Sequence, residues 1–331
     1  MPITTLAPTV DSSALVLSPE TAAKLGKLIE DGTARNTIRA RSGDLARFWE
    51  ALATLRPDVP KSYPVPLAAV LEFIAHGLDV WTAATVERTV RTLSRAHHAA
   101  GVANEVNPTR QAPVREALRA AKTLRARKGG QRQARAVRLG DVRRMVATCE
   151  AEDGLTAARD SALLWTLYAS GLRRSEVCRL DVTDLANEIT EDGGLLFVLT
   201  VRRSKADQTG EGRAVAIGGE AAETLAAWLQ ESGITSGRVF RGFFKGGRSL
   251  RPSLSPDGVA RILAHRAKLA GVEPVSPHGF RAGFATDCAA RGIAPADIMA
   301  GRWTSLASFG RYTRAAVASR NPAAFLTVEN S

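Results

Sequence analysis

From about residue 19 to residue 126, apolar side chains return at helical spacing: Leu45, Phe48, Trp49 and Leu52, then Leu67, Val70, Leu71 and Ile74, then Val86, Val90 and Leu93. Each set falls on one face of a helix, and strand-like alternation is missing from the stretch. Gly32, RPDVPKSYPVP at 56–66 and GVANEVNP at 101–108 have the composition of loops. The pattern predicts a bundle of about four or five helices.

From Leu139 onward the pattern changes. SALLWTLYAS, 161–170, is apolar nearly all round, as a buried helix is, and Gly171 stands where a left-handed residue would end it. GGLLFVLTV at 193–201 reads as a strand, and AVAI at 214–217 as its hairpin partner across the polar turn SKADQTGEG. Helices resume at 220–231, at 257–270 and from Ser276, where Ser-Pro supplies an N-cap and a first-turn proline. The expected fold class is therefore mainly α with a small antiparallel β-sheet, a helical domain followed by an α+β domain. The chain's 331 residues suit two cores. The expected boundaries are a flexible arm over 1–18, the first domain over 19–126, a linker over 127–138 and the second domain over 139–331.

The linker is expected because TLRARKGGQRQARAVR, 123–138, is rich in arginine and poor in apolar residues. It reads either as a solvated loop or as a tether lying along a phosphate backbone, and its place between two core-forming regions favours the tether. Forty-five Lys and Arg against 33 Asp and Glu leave a net charge of +12. That suggests a polyanionic partner, nucleic acid first, with a merely solvated basic surface as the alternative. No apolar run reaches the roughly 18 residues of a membrane span, and MPITTLAPTVDSSALVL lacks the basic segment of a secretory signal. Cys149, Cys178 and Cys288 form no C-x-x-C or Cys/His grouping, which argues against disulfides and zinc and fits a reducing cytoplasm.

The three tyrosines differ in their neighbours. Tyr168 lies among Leu163, Leu164, Trp165 and Leu167 and reads as core; Tyr63 sits in a loop without a nearby cation. Tyr312, in SFGRYTR, lies between Arg311 and Arg314, and local sequence leaves packing and chemistry equally open. Arg173 follows the glycine stop in GLRRSEV, with Glu176 one turn on. His278 and Arg281, in SPHGFR, are three apart in a first helical turn and so share a face. Two arginines and a histidine could clamp one phosphate, because guanidinium forks bind its oxygens through paired hydrogen bonds. Taken singly, GLR or H-x-x-R is more often structural. His76, His97, His98 and His265 have no partner at metal-ligand spacing and read as surface or packing residues, and Trp49, Trp165 and Trp228 read as core.

In this order GLRRSEV, a lysine in the hairpin turn, HGFR, GRWTS and a late tyrosine resemble the tyrosine recombinase (phage integrase) family, particularly its Cre-like members. Trp303 stands nine residues before Tyr312, and Arg281 thirty-one before it. ARNTIRARSGDLARFWEAL (34–52) and TVERTVRTLSRAHHAAGVANEVNP (85–108) look like the family's helical core-binding (SAM-like) domain, which makes the second domain the catalytic one. The resemblance implies that Arg173 and Arg281 clamp the scissile phosphate and that His278 hydrogen-bonds it or helps proton transfer. Trp303 would donate its indole N–H in place of a second histidine, Glu176 would support the arrangement, and Tyr312 would be the nucleophile. Lys205, in the hairpin turn, would be the general acid for the departing 5′ oxygen, with Lys245 in RGFFKGG as the substitute. Many members have Leu-Gly-His where this chain has Gly301-Arg302-Trp303, which puts in doubt any role that needs imidazole there.

The chemistry is consistent with these roles. A phenol with a pKa of roughly 10 is a poor nucleophile at neutral pH, but neighbouring arginines favour phenolate and neutralise a phosphorane-like transition state. No two-metal carboxylate cluster and no G-x-x-x-x-G-K-[ST] loop is present in the sequence, so no metal and no cofactor is expected. Arg35, Arg39, Arg41 and Arg47, with Lys122, Arg125 and Arg127, could place positive charge on the DNA side of the first domain, and Lys128, Arg132 and Arg135 could do so along the linker. A solvated helix face is the alternative for any one of them. The resemblance further implies double-stranded DNA with an inverted-repeat site as partner, a homotetramer assembled on it whose C-terminal tails are exchanged, and an accessory directionality factor. The bacterial cytoplasm would be its compartment. Two rivals remain open: a type IB topoisomerase, which would relax supercoils without site preference, and a non-catalytic DNA-binding protein of the same fold.

Overall fold

The computed structural model describes residues 35–127, 134–202, 212–245 and 249–300, with isolated positions from 20 to 33 and from 302 to 313. The chain divides into two compact units, Met1–Arg132 and Gln133–Ser331. Among the described residues no helix is long and apolar enough to cross a membrane.

The first unit is helical: α1 (Arg35–Leu55), α2 (Leu67–Val80), α3 (Ala83–Ala99) and α4 (Ala112–Arg127). Of the apolar series in the sequence, Phe48, Leu52, Val70, Ile74, Val86, Val90 and Leu93 are buried, and Leu45, Trp49, Leu67 and Leu71 pack against them. The Thr82 hydroxyl accepts from Thr85 N at 3.3 Å and so caps α3. His97 is a buried strut: its Nε2 accepts from Val65 N at 3.0 Å and its Nδ1 donates to Leu93 O at 2.8 Å. Burial lowers its pKa, keeping the ring in the neutral form that this pairing needs.

The second unit contains α5 (Leu139–Glu150), α6 (Leu155–Ser170), the short α7 (Arg174–Val177), β1 (Leu185–Ile189), β2 (Leu195–Val201), β3 (Arg213–Gly218), α8 (Glu220–Ser232), α9 (Pro256–Leu269), α10 (Pro277–Ala290) and α11 (Pro295–Met299). The sheet is antiparallel in the order β1-β2-β3, with Leu185 opposite Leu199 and Val201 opposite Arg213. The expected hairpin is thus two strands of a three-stranded sheet. β1 escaped the sequence reading because LANEI is an edge strand with all but its first residue exposed, so it lacks the alternation of a half-buried strand. Mainly α with a small antiparallel sheet is the fold class found.

Helix α10 is fixed in place by close approach. Ser276 Oγ accepts from Gly279 N at 3.2 Å, capping the helix ahead of Pro277. Residues 134–138, within the stretch read as linker, pack against this helix: Val137 is fully buried and its N–H donates to Gly279 O at 2.9 Å. One valine in a basic run leaves no periodic signal, yet burying it contributes about 1.5–3 kcal/mol. The approach requires glycine, since a methyl group on Gly283 would lie 1.7 Å from Val137 O and one on Gly279 2.4 Å from Arg135 O. Further along, Asp287 accepts from Leu139 N at 2.8 Å, from Tyr168 Oη at 2.6 Å and from Arg138 Nε, tying α10 to α5 and α6.

Replacing a mid-helix glycine by alanine normally gains up to about 1 kcal/mol. Here Gly283→Ala is expected to destabilise the second unit by about 2 kcal/mol or more, because backbone must move. Urea unfolding of the two proteins measures it, and a Gly283→Ala variant as stable as its parent contradicts the packing.

Candidate active site

Helix α6 ends at Gly171 (φ 58°, ψ 24°), a left-handed residue that turns the chain towards Arg173. Nothing lies closer than 3.5 Å to a methyl group built there, so the dihedral, rather than space, calls for glycine. Arg173 caps α7: its main-chain N–H donates to Glu176 Oε2 at 2.7 Å and its Nη1 to Oε1 at 2.6 Å. Glu176 is only 5% exposed, so its carboxylate is a firm acceptor and fixes where the Arg173 side chain starts.

Arg281, 4% exposed, lies one turn into α10. Its Nη1 donates to Gly171 O and its Nη2 to Arg302 O, and its guanidinium carbon sits 4.0 Å from the Trp303 ring centroid. Trp303 is buried and meets Phe309 edge-on at 5.5 Å. Arg213, at the start of β3, joins the two halves: Nη2 lies 3.5 Å from Glu176 Oε1 and Nη1 donates to Arg302 O at 3.2 Å. Among the described residues, three guanidiniums therefore meet one carboxylate and two carbonyls, which leaves a surplus of positive charge. His278 is exposed on the first turn of the same helix, whose N-terminal end adds further positive potential. An oxyanion such as a phosphodiester suits this arrangement.

The structure therefore brings Arg173, Glu176, Arg281 and Trp303 into one bonded cluster, with His278 on the helix that carries Arg281. Lys205 and Tyr312 lie outside the described residues; Lys245 is exposed. Phe309 and Thr313, on either side of Tyr312, are both buried. The other two tyrosines are held as neutral packing groups. Burial raises the Tyr63 phenol, which lies edge-on to Trp49 and His97. Burial, and then the Asp287 carboxylate that it donates to, raise Tyr168. Burial also pushes the Cys178 thiol, two residues beyond Glu176, up to about 11, so it makes a poor nucleophile.

The candidate DNA-binding residues differ in exposure and partners. Arg39, Lys122 and Arg127 are exposed, and Arg41 and Arg125 are half-buried. Arg47 is engaged with Asp44 at 2.8 Å, a carboxylate that Arg88 also binds, and Arg135 with Asp141 at 3.0 Å and Glu273 at 3.1 Å, so both guanidiniums are held by carboxylates of their own units. The side chain of Arg35, and Lys128 and Arg132, lie outside the described residues.

Sequence reading missed Arg213 and Arg302. The Arg302 side chain donates from Nε to Ser170 O at 3.0 Å, from Nη2 to Ala169 O at 3.0 Å and Ala216 O at 3.2 Å, and from Nη1 to Ala300 O at 3.3 Å. It stacks on Phe284 at 4.6 Å, and burial lowers its pKa from the ordinary value. The one signal in the sequence was an arginine within GRW where glycine is usual.

A family model described as "Phage integrase family" matches residues 135–319. An integrase/recombinase xerD homolog of Selenomonas ruminantium is 30% identical over 286 residues, covering 83% of this chain and 80% of that protein. A XerH site-specific recombinase, solved bound to palindromic difH substrate in a post-cleavage complex, aligns with a TM-score of 0.61 at 14% identity, over 92% of this chain and 82% of that one. A lambda integrase dimer bound to a COC' core site aligns with a TM-score of 0.57 at 17% identity, over 87% and 74%.

Glu176→Ala would leave the Arg173 and Arg213 guanidiniums without the carboxylate between them. The expected loss is about 2 kcal/mol from the second unit, as for a half-buried pair deprived of one partner. Thermal and urea unfolding read it, and unchanged midpoints would show that Glu176 does not hold the cluster.

Proposed function

This chain belongs to the phage integrase family of tyrosine recombinases, DNA strand-transferring enzymes of site-specific recombination, and we propose that it cleaves and rejoins DNA through a 3′-phosphotyrosine formed on Tyr312. The observation that carries the proposal is the bonded chain Arg173–Glu176–Arg213–Arg302 O–Arg281, which gathers three guanidiniums around one carboxylate among the described residues. Arg173 and Arg281 bind the non-bridging oxygens of the scissile phosphate, where their attraction grows as charge develops in the transition state. His278, on the helix that carries Arg281, hydrogen-bonds the same group or passes a proton. Trp303 holds the Arg281 guanidinium over its ring, 4.0 Å from the centroid.

In the step itself the Tyr312 oxygen forms a bond to phosphorus as its proton passes to His278 or to water, while the bond from phosphorus to the 5′ oxygen breaks and its electron pair goes to that oxygen. That oxygen leaves as a 5′-hydroxyl after taking a proton from Lys205, or from Lys245 in its place. The phosphotyrosine conserves the energy of the broken bond, so a second 5′-hydroxyl reverses the step and seals a new strand. Two protomers on an inverted repeat, and four on two such sites, exchange one pair of strands, pass through a Holliday junction and exchange the other. The two units contact duplex DNA, with exposed Arg39, Lys122 and Arg127 among the phosphate contacts and the basic run around 127–138 as the link between them. The bacterial cytoplasm holds such a substrate.

Tyr312→Phe is expected to bind a half-site duplex with unchanged affinity and to form no covalent adduct with a nicked suicide substrate, whereas the parent chain forms one visible on denaturing gels. An adduct formed by the Tyr312→Phe variant moves the nucleophile elsewhere; none in the parent favours the non-catalytic reading; relaxation of a plasmid without a recombination site favours the topoisomerase reading.

A further inference from the structure

We infer that Arg302 is a positioning residue for strand cleavage: its side chain clamps the end of α6 to β3, and its main-chain oxygen aims the guanidiniums of Arg281 and Arg213. The inference rests on the recombinase reading above and adds to it a residue outside the phosphate-binding set.

The side chain reaches acceptors that are otherwise hard to satisfy. Ala169 and Ser170 are the last two residues of α6, whose final carbonyls have no partner within the helix and lie at the negative end of its dipole. Arg302 donates to both, and to Ala216 on β3, from one planar fork. The residues directly after Ser170 are Gly171, Leu172 and Arg173, so the clamp holds the root of the segment from which Arg173 projects. Its main-chain oxygen accepts from Arg281 Nη2 and Arg213 Nη1, and the second acceptor of Arg281 is Gly171 O. Gly171 O and Arg302 O, which Arg281 donates to, therefore both belong to backbone that the Arg302 side chain fixes. Lysine cannot stand in, because three tetrahedral donors on one atom cannot span carbonyls on α6 and β3 together.

The test separates aiming from folding by changing the charge of the substrate. Suicide duplexes carry either the ordinary scissile phosphate or a methylphosphonate at that position, which lacks the negative oxygen that guanidiniums stabilise. With Arg302→Gln and Arg302→Lys, adduct formation on the phosphodiester is expected to slow on the order of 10²-fold, the cost of misplacing one preorganised donor. On the neutral methylphosphonate the deficit is expected to shrink to a few-fold. A structural defect lowers the amount of competent enzyme alike for both duplexes, so equal deficits overturn the inference. If the parent chain leaves the methylphosphonate uncut, the decision falls to Arg302→Gln made in an Arg281→Lys background. No further loss supports action through Arg281; a full further loss overturns it. Absence of any adduct from the parent on the phosphodiester overturns the recombinase reading and this inference with it.

Discussion

The carbonyl oxygen of Arg302 accepts from two guanidiniums at once, and the rest of the site is arranged around that shared acceptor. An arginine side chain carries about 2 kcal/mol of rotamer entropy, which a site waiting for substrate must remove beforehand. Carboxylates would do so at the expense of the charge that is needed. Carbonyls hold a guanidinium by its hydrogens while leaving its charge uncancelled, and Glu176 is the carboxylate that the described residues place in the cluster. Donors held in this way are already oriented and still cationic, which is what binding of a negatively charged phosphodiester would require.

That arrangement depends on backbone placed by packing some distance away. Gly171 supplies the left-handed turn that presents its own carbonyl to Arg281 and sends the chain towards Arg173. Gly279 and Gly283 let the 135–137 segment lie directly against α10, and Asp287 ties the far end of that helix to Tyr168 and to the start of α5. Helix α10 is therefore fixed along its length, and Arg281 with it. The apolar core supplies the stability, and a few main-chain contacts convert it into position.

Much of this could be read in the sequence, for physical reasons that also mark where reading stops. Helices of the first unit repeat their apolar residues every three or four positions because one face of each is buried, so Phe48, Val70 and Val90 announce their partners. Arg173, Glu176, His278 and Arg281 stood out because they lie beside a helix stop and a Ser-Pro start. β1 did not, since an exposed edge strand has no buried face to alternate with. Arg213 and Arg302 did not, because an arginine that bonds to carbonyls selects no particular residue type as its partner. Charge alone does not show an arginine's partners either: Arg47 and Arg135 look like free surface cations in the sequence, yet each is bound to a carboxylate. Asp44, three residues before Arg47, was the local clue.

The central claim is that Arg173 and Arg281 work as one phosphate-binding unit. A double-mutant cycle on the rate of covalent adduct formation, using Arg173→Ala, Arg281→Ala and the two together, measures their coupling most directly. The account predicts strong non-additivity, with the double variant close to the slower single one, as for residues that act as a unit. Losses that simply multiply would mean that the two guanidiniums act independently and would contradict it.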